Sequence, residues 1–116
     1  MLRGIQVLDL SRVLAGPWAT QMLADLGASV RKVERAGCGD DTRQWGPPFT
    51  AQGLASYFTC ANRGKESVSV DFKSPEQLKA LQELALHADV IVENFKVGQL
   101  KAYGLDAATL REKKPE

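Results

Sequence analysis

Short apolar segments alternate along this chain with amphipathic segments that carry helix-capping residues, and this alternation constrains the fold more than any other feature. The apolar segments lie at residues 4–10, 28–35, 67–72 and 88–94 and contain many Val, Ile and Leu residues. The first segment shows little polar–apolar alternation, which is typical of a strand buried on both faces. Strands that alternate with helices form right-handed βαβ units. We therefore predict an α/β fold with a doubly wound parallel sheet and flanking helices.

The residues between the first two apolar segments predict a helix. Pro17 suits the first turn of a helix, where its missing N–H group costs nothing, and Gly27 suits a left-handed C-terminal cap. Four large apolar residues fall on one face of this helix: Trp18, Met22, Leu23 and Leu26. Such a stripe is typical of an amphipathic helix.

Two further helices are predicted in the second half of the chain. Ser74 is a suitable N-cap, Pro75 stands at the first helical position, and Gln77 completes a capping box. The apolar stripe of that helix consists of Leu78, Leu81, Leu84 and Ala85. Asp106 is the expected N-cap of the last helix.

Size, charge and cysteine content exclude several classes of protein. The 116 residues suit a single domain, and a net charge of +1 gives no indication of nucleic-acid binding. No segment approaches the roughly 20 apolar residues that a membrane span needs, and the N-terminus has no signal-peptide pattern, so we expect a cytoplasmic protein. Cys38 and Cys60 are far apart and suggest neither a disulfide framework nor a zinc site.

The ends of the four predicted strands carry glycine, asparagine or positive charge. Ligands of open α/β sheets bind at the carboxyl ends of the strands. The residues expected there are Arg35, Lys73 and the pair Asn94–Phe95, together with the backbone amides at the Pro17 helix start. These groups predict a site for an anionic ligand that also has an apolar part.

The segment VERAGCGDDTRQWGPPF, residues 33–49, does not predict a metal or phosphate site. Asp40 and Asp41 are adjacent and would point to opposite sides of an extended chain, and the single histidine, His87, suits a helix C-terminus. The segment and the first loop match neither of the common glycine-rich phosphate motifs. Glu34, about twenty residues beyond the first loop, stands where a ribose-binding acid of an NAD site is expected. We expect Asp40, Asp41 and Arg43 to pin a long loop through turn hydrogen bonds and ion pairs.

Three long segments of the chain resemble the N-terminal part of the family III CoA-transferases. They are GIQVLDLSRVLAGPWATQMLADLGASVRKVERAGCGDDTRQWGPPF, ANRGKESVSVDFKSPEQ and ADVIVENFKVGQL, and the resemblance covers essentially the whole chain in order. It implies that residues 1–116 form an incomplete, Rossmann-like, CoA-binding domain whose remaining enzyme is absent.

The resemblance also implies a set of residues that contact coenzyme A. They are Val13, Leu14, Arg35, Val70, Lys73, Asn94 and Phe95. Arg and Lys suit the phosphates of CoA, and Val, Leu and Phe suit its adenine or pantetheine. Some relatives have a polar residue at the position of Leu14 and an arginine at the position of Ala102.

The family's activity implies a cofactor-like co-substrate, a catalytic residue and an assembly. Coenzyme A is a co-substrate, exchanged between an acyl-CoA and a free carboxylic acid through an aspartyl anhydride and an enzyme–CoA thioester. The aspartate nucleophile is expected beyond Glu116, so the chain itself holds no assignable catalytic residue and no metal site. Family members form interlocked homodimers, and we expect the 116-residue chain alone to be inactive and to bind CoA weakly or not at all.

Two alternatives remain open. An α-methylacyl-CoA racemase has the same fold and CoA site, although the long segment CGDDTRQWGPPF favours a transferase over a racemase. A non-catalytic nucleotide-binding module would instead use Glu34 to hold the ribose of NAD.

Overall fold

The structure is a computed structural model that describes residues 1–115, and it contains one parallel sheet with helices around it. The strands are β1 (Gln6–Asp9), β2 (Ser29–Arg35), β3 (Glu66–Val70) and β4 (Val90–Val92). The strand order is β3-β2-β1-β4, and each neighbouring pair is parallel. The predicted α/β fold with a parallel sheet is therefore confirmed, although β1 and β4 are shorter than the apolar segments that predicted them.

Within residues 1–115, four α-helices connect or follow the strands. They are α1 (Ala15–Asp25), α2 (Ser56–Thr59), α3 (Pro75–His87) and α4 (Ala107–Lys113). Two short 3-10 helices, Asp41–Gln44 and Leu100–Tyr103, add single turns. The order of the strands reverses between β1 and β4, because the chain moves outward from β1 to β3 and then returns to the other side of β1. A crevice for a ligand is expected at such a switch point.

Two apolar clusters cover the two faces of the sheet. The larger joins β1, β2 and β3 to α3 and the C-terminal segments and contains Leu8, Leu10, Val33, Val70, Leu81, Ala85, Leu100 and Leu105. The smaller contains Val7, Ala28 and Val30, with Leu2, Ile5, Leu23 and Ala24 of the N-terminus and α1 packed against it. Burial of these side chains is the main stabilising contribution to the sheet.

Of the four apolar residues predicted to share one face of α1, only Leu23 packs against the sheet, in the smaller apolar cluster. Trp18, Met22 and Leu26 are 46%, 53% and 46% exposed, whereas Thr20 and Gln21 are buried. The reason lies in hydrogen bonding: the Thr20 hydroxyl donates to Asp9 at 2.6 Å, and the Gln21 amide donates to the Cys60 carbonyl and accepts from the Arg63 N–H. The buried face of α1 thus combines the polar residues Thr20 and Gln21 with Pro17, whereas Trp18, Met22 and Leu26 are left exposed.

The predicted helix caps are confirmed with one correction. The Ser74 hydroxyl accepts from the Gln77 N–H at 3.4 Å, and the Asp106 carboxylate accepts from the Thr109 N–H at 3.3 Å. The Gln77 side chain does not complete the capping box, because its oxygen accepts from the Asp71 N–H at 2.8 Å. It fixes the turn before α3 instead of the cap residue itself.

Within residues 1–115, no helix combines the length and apolarity that crossing a bilayer requires.

Candidate functional site

The parallel arrangement brings the carboxyl ends of all four strands to one edge of the sheet. Arg35 and Val70 are register partners at the ends of β2 and β3. β1 ends at Asp9 and is followed by the loop that leads to α1, and β4 ends at Val92, shortly before Asn94. The predicted ligand-binding residues of these segments therefore share one edge, as their positions after the strands predicted.

Asn94 joins the two loops that flank the switch point. Its Oδ1 accepts from the Arg12 N–H at 3.0 Å, and its Nδ2 donates to the Arg12 carbonyl at 2.7 Å. The Arg12 guanidinium carbon lies 5.8 Å from the centre of the Phe95 ring, within the range of a cation–π contact. These contacts connect the loop after β1 to the loop after β4.

Val13 has a backbone conformation that its side chain disfavours. Its φ is +72°, in the left-handed region where a β-branched residue is unusual. The Val13 N–H donates to the Asp40 carboxylate, with an N–O distance of 3.2 Å to the nearer oxygen. Leu14 follows at the start of α1, is 39% exposed, and provides no side-chain cap.

Asp40 is the centre of a buried ion pair. Its carboxylate lies 2.9 Å from the Lys32 ammonium, and both side chains are at most 2% exposed. It also accepts from the Thr42 N–H and hydroxyl, and Lys32 donates to the Ser11 carbonyl at 3.1 Å. Burial raises the pKa of Asp40, but Lys32 and Thr42 outweigh it and hold that pKa below its ordinary value. The group is therefore a carboxylate at neutral pH.

A second buried ion pair joins Asp9 to Lys65 at 2.9 Å. Asp9 also accepts from Ser11 and Thr20, and Lys65 also donates to the Pro17 carbonyl and the Asn62 side chain, each at 2.9 Å. Burial raises the pKa of Asp9, but the hydrogen bonds and the charge of Lys65 bring it below its ordinary value. Burial lowers the pKa of Lys65 below its ordinary value, although the charge of Asp9 acts in the opposite direction. This pair connects the end of β1 to the first turn of α1.

Glu34 forms a third charged cluster and is not free for a ligand. Arg43 donates to both of its oxygens, at 2.9 and 2.8 Å, the Ser67 hydroxyl donates to Oε2 at 2.7 Å, and the Asp40 N–H donates to Oε1 at 3.3 Å. The Arg43 guanidinium also stacks 3.9 Å from the centre of the Phe58 ring. Burial raises the pKa of Glu34, but Arg43 and Ser67 outweigh it and lower that pKa. Oε1 thus accepts two hydrogen bonds and Oε2 accepts three.

The prediction that Asp40, Asp41 and Arg43 pin the long loop is confirmed for Asp40 and Arg43. Asp41 contributes less, because its carboxylate lies 3.9 Å from Arg35 and both side chains are 52% exposed. Exposed pairs of this kind stabilise a protein by at most about 1 kcal/mol. Among the described residues, no group of three His, Cys, Asp or Glu side chains could hold a metal ion.

The remaining predicted contacts differ in how accessible they are. The Val70 side chain is 5% exposed and belongs to the larger apolar cluster, so only its backbone can face a ligand directly. Lys73 is exposed, and its N–H donates to the Asp71 side chain. His87 lies at the end of α3, where a ring nitrogen is 2.8 Å from the Glu83 carbonyl.

Sequence reasoning missed the residues that shape the first loop. Lys32 and Lys65 were not expected to be buried, and Arg12 was not singled out although it stands in the loop after β1. A signal existed for Arg12, since it is a cation at a strand end, like Arg35 and Lys73. The two lysines gave none, because a lysine is normally exposed and only its tertiary partners reveal its burial.

Known proteins resemble this chain over almost its whole length. The model of a family described as CoA-transferase family III matches residues 2–116. A succinate–glutarate CoA-transferase of Agrobacterium fabrum is 52% identical over 99% of this chain and 30% of its own length. A human succinyl-CoA:glutarate CoA-transferase is 51% identical over 98% of this chain and 26% of its own length.

A solved structure gives the same result. The crystal structure of a CAIB/BAIF family protein from Brucella suis superposes with a TM-score of 0.91 at 50% identity, over 96% of this chain and 30% of that one. The chain thus spans less than a third of the length of these relatives. The family match extends over nearly every residue, and the fold agrees with it. The chain belongs to CoA-transferase family III.

Proposed function

We propose that the protein is a coenzyme A transferase, which moves CoA from an acyl-CoA to a free carboxylic acid, and that residues 1–116 form its CoA-binding N-terminal domain. Membership in CoA-transferase family III is the observation that carries this proposal. Two of the relatives are named for succinate or succinyl-CoA and glutarate. The acids that this protein uses are accordingly dicarboxylic acids of similar length.

The CoA-binding residues are Val13, Leu14, Arg35, Val70, Lys73, Asn94 and Phe95. The support for this set is that its residues lie at or shortly after the ends of four parallel strands, which share one edge of the sheet. Arg35 and Lys73 are exposed cations suited to phosphate groups, and the exposed Leu14 and the partly buried Phe95 offer apolar surface. The Asn94 amide also binds the N–H and carbonyl of Arg12, so the same residue holds the first loop in place.

The proposed reaction is covalent catalysis by an aspartate located beyond Glu116. The aspartate carboxylate attacks the acyl carbon of the acyl-CoA, which forms a mixed anhydride and releases CoA thiolate. The thiolate attacks the aspartyl carbonyl of the anhydride, which gives an enzyme–CoA thioester and releases the first acid. The second acid attacks the thioester carbonyl and displaces the thiolate, and attack of the thiolate on the new acyl group releases the new acyl-CoA and the aspartate.

The resemblance to the family further supports an interlocked homodimer in the cytoplasm, with the 116-residue chain inactive by itself. The alternative of an NAD-binding module loses its main residue, because both oxygens of Glu34 are already occupied by hydrogen bonds within the protein. No observation favours the racemase over the transferase.

The test is an assay of the full-length enzyme that carries this segment, with succinyl-CoA as donor and glutarate as acceptor. Formation of glutaryl-CoA that depends on both substrates is the expected result. Loss of stereochemistry at the α-carbon of a 2-methylacyl-CoA, without any acceptor, would instead identify a racemase. Tight binding of NADH without a response to CoA would contradict the proposal. Activity of the isolated 116-residue chain would contradict the assignment of the catalytic aspartate to a later segment.

A further inference from the structure

The loop between β1 and α1 contains a backbone conformation that has to be held in place. Val13 has a φ of +72° and is the one non-glycine residue with a positive φ within residues 1–115. The left-handed region brings Cβ close to the following carbonyl oxygen, and β-branching adds to that cost. A free loop would leave this conformation, so contacts elsewhere in the protein must maintain it.

The contact that maintains it is the buried pair of Lys32 and Asp40, which we call the brace. Asp40 accepts from the Val13 N–H at 3.2 Å, and Lys32 donates to the Ser11 carbonyl at 3.1 Å. The two side chains are 2.9 Å apart and at most 2% exposed. The brace therefore hydrogen-bonds to two backbone groups of the loop that are two residues apart.

The opposite side of the loop is held independently. Asn94 binds the N–H and the carbonyl of Arg12, the residue between the two gripped by the brace. Three consecutive residues thus have backbone groups fixed by side chains from β2, the long loop after it and the loop after β4. The next residue, Leu14, is the first with an exposed side chain at the start of α1.

We propose that the brace is a positioning device for coenzyme A: it keeps Val13 left-handed, so that the loop and the start of α1 present a preformed surface to the ligand. The inference rests on the proposed function. Neither brace side chain contacts CoA in this scheme, since both are buried. Their effect reaches the ligand only through the conformation of Val13.

A double-mutant cycle separates this role from a general structural one. Removing Asp40 alone would leave Lys32 as an unpaired buried cation, so the brace is removed by the charge-neutral pair Asp40→Ala with Lys32→Met, which leaves no side-chain acceptor for the Val13 N–H. The second element of the cycle is Val13→Gly, because glycine adopts a positive φ about as readily as a negative one. The dissociation constant of CoA is measured by calorimetry for the four full-length proteins.

We expect the effect of brace removal on CoA affinity to depend strongly on the residue at position 13. Removing the brace should raise the dissociation constant about tenfold when Val13 is present, because only a fraction of molecules would keep the competent loop. In the Val13→Gly background, removing the brace should raise the dissociation constant of CoA by about twofold or less. The control Asp25→Asn, which removes an exposed pair with Arg63 at the end of α1, should leave CoA binding unchanged.

Two results would overturn the inference. An equal effect of brace removal in both backgrounds would mean that the brace acts by a route other than Val13, and the absence of any effect would mean that it does not position the ligand. A wild-type enzyme that does not bind CoA at all would instead overturn the proposed function, and the inference with it. Thermal unfolding of the four proteins shows whether each remains folded at the temperature of the titration.

Discussion

Gly16 shows how little space the first loop leaves for a side chain. It lies in the first turn of α1, and a Cβ at this position would overlap the Ser11 side chain. Ser11 is fully buried and donates its backbone N–H to Asp9 at 2.9 Å. A larger residue at position 16 must therefore displace the end of β1 or the start of α1.

The corresponding prediction concerns the sign of Gly16→Ala. Alanine is the better helix former by about 1 kcal/mol, so propensity alone would make this change stabilising. We expect destabilisation by about 1–3 kcal/mol, because the new methyl group would overpack against Ser11. Chemical denaturation of the full-length enzyme measures the difference, and a gain in stability would refute the predicted close contact. Ala19→Gly, at an exposed position of α1, controls for propensity alone.

The buried pair of Asp9 and Lys65 predicts a dependence of stability on pH. The pKa of Asp9 is below its ordinary value of 3.8, so the carboxylate stabilises the fold above that pH, and this contribution is lost as the pH falls through the lowered pKa. At pH 7, Asp9→Asn should cost about 3–5 kcal/mol, because it leaves Lys65 unpaired. The difference in stability between the wild type and Asp9→Asn should become smaller below pH 3.8, because the wild-type carboxylate becomes protonated.

The prediction is checked by thermal unfolding of the wild type and Asp9→Asn between about pH 2 and pH 7, a range that includes the pKa values of carboxyl groups. A constant difference across the range would show that the charge of Asp9 is not the cause. Asp25→Asn serves as the control, since that carboxylate pairs with Arg63 on the surface.

The individual site residues differ in how far the sequence could predict them. Arg35, Asn94 and Phe95 follow strands, and parallel topology alone places such residues at one edge. Lys32 is buried beside Asp40, which belongs to the long loop after β2. Such a contact has no local signature, so it could not be derived from strand and helix patterns.

At the level of elements, the position of α1 was predictable and its orientation was not. The 3.6-residue period and the helix-start and helix-end residues identify a helix, but they do not say which face is buried. Here Thr20 and Gln21 are buried because Asp9 and the 60–63 segment offer hydrogen-bond partners. Trp18, Met22 and Leu26 then remain exposed, and of the predicted stripe only Leu23 packs against the sheet.

The N-cap of helix α3 can be tested by a single substitution. The Ser74 hydroxyl accepts from the Gln77 N–H, which otherwise has no partner within the helix. We expect Ser74→Ala to lower stability by about 1 kcal/mol. Chemical denaturation measures the change. Ser69→Ala, at an exposed position of β3, should alter stability by less than about 0.5 kcal/mol, and equal losses at both positions would contradict the capping role.

At the scale of the whole molecule, the outer side of α1 carries a row of exposed apolar side chains. Leu14, Trp18, Met22 and Leu26 follow one another at intervals of four residues, and each is between 39% and 53% exposed. Residues four apart are neighbours on a helix surface, so these side chains form one continuous stripe. With a net charge of only +1, the chain has little electrostatic repulsion to keep copies apart.

We therefore predict that the 116-residue polypeptide, expressed alone, associates through this stripe. In size-exclusion chromatography with light scattering, it should elute above its monomer mass of 12.6 kDa. Trp18→Gln with Met22→Lys should shift it toward the monomer, because the change removes the two most central apolar side chains of the stripe. Ala80→Lys adds the same charge at an exposed position of α3 and leaves the α1 stripe intact, so it should leave the association in place. Circular dichroism shows whether all three polypeptides are folded alike. A monomeric wild-type chain, or an equal shift with Ala80→Lys, would mean that the stripe does not drive association.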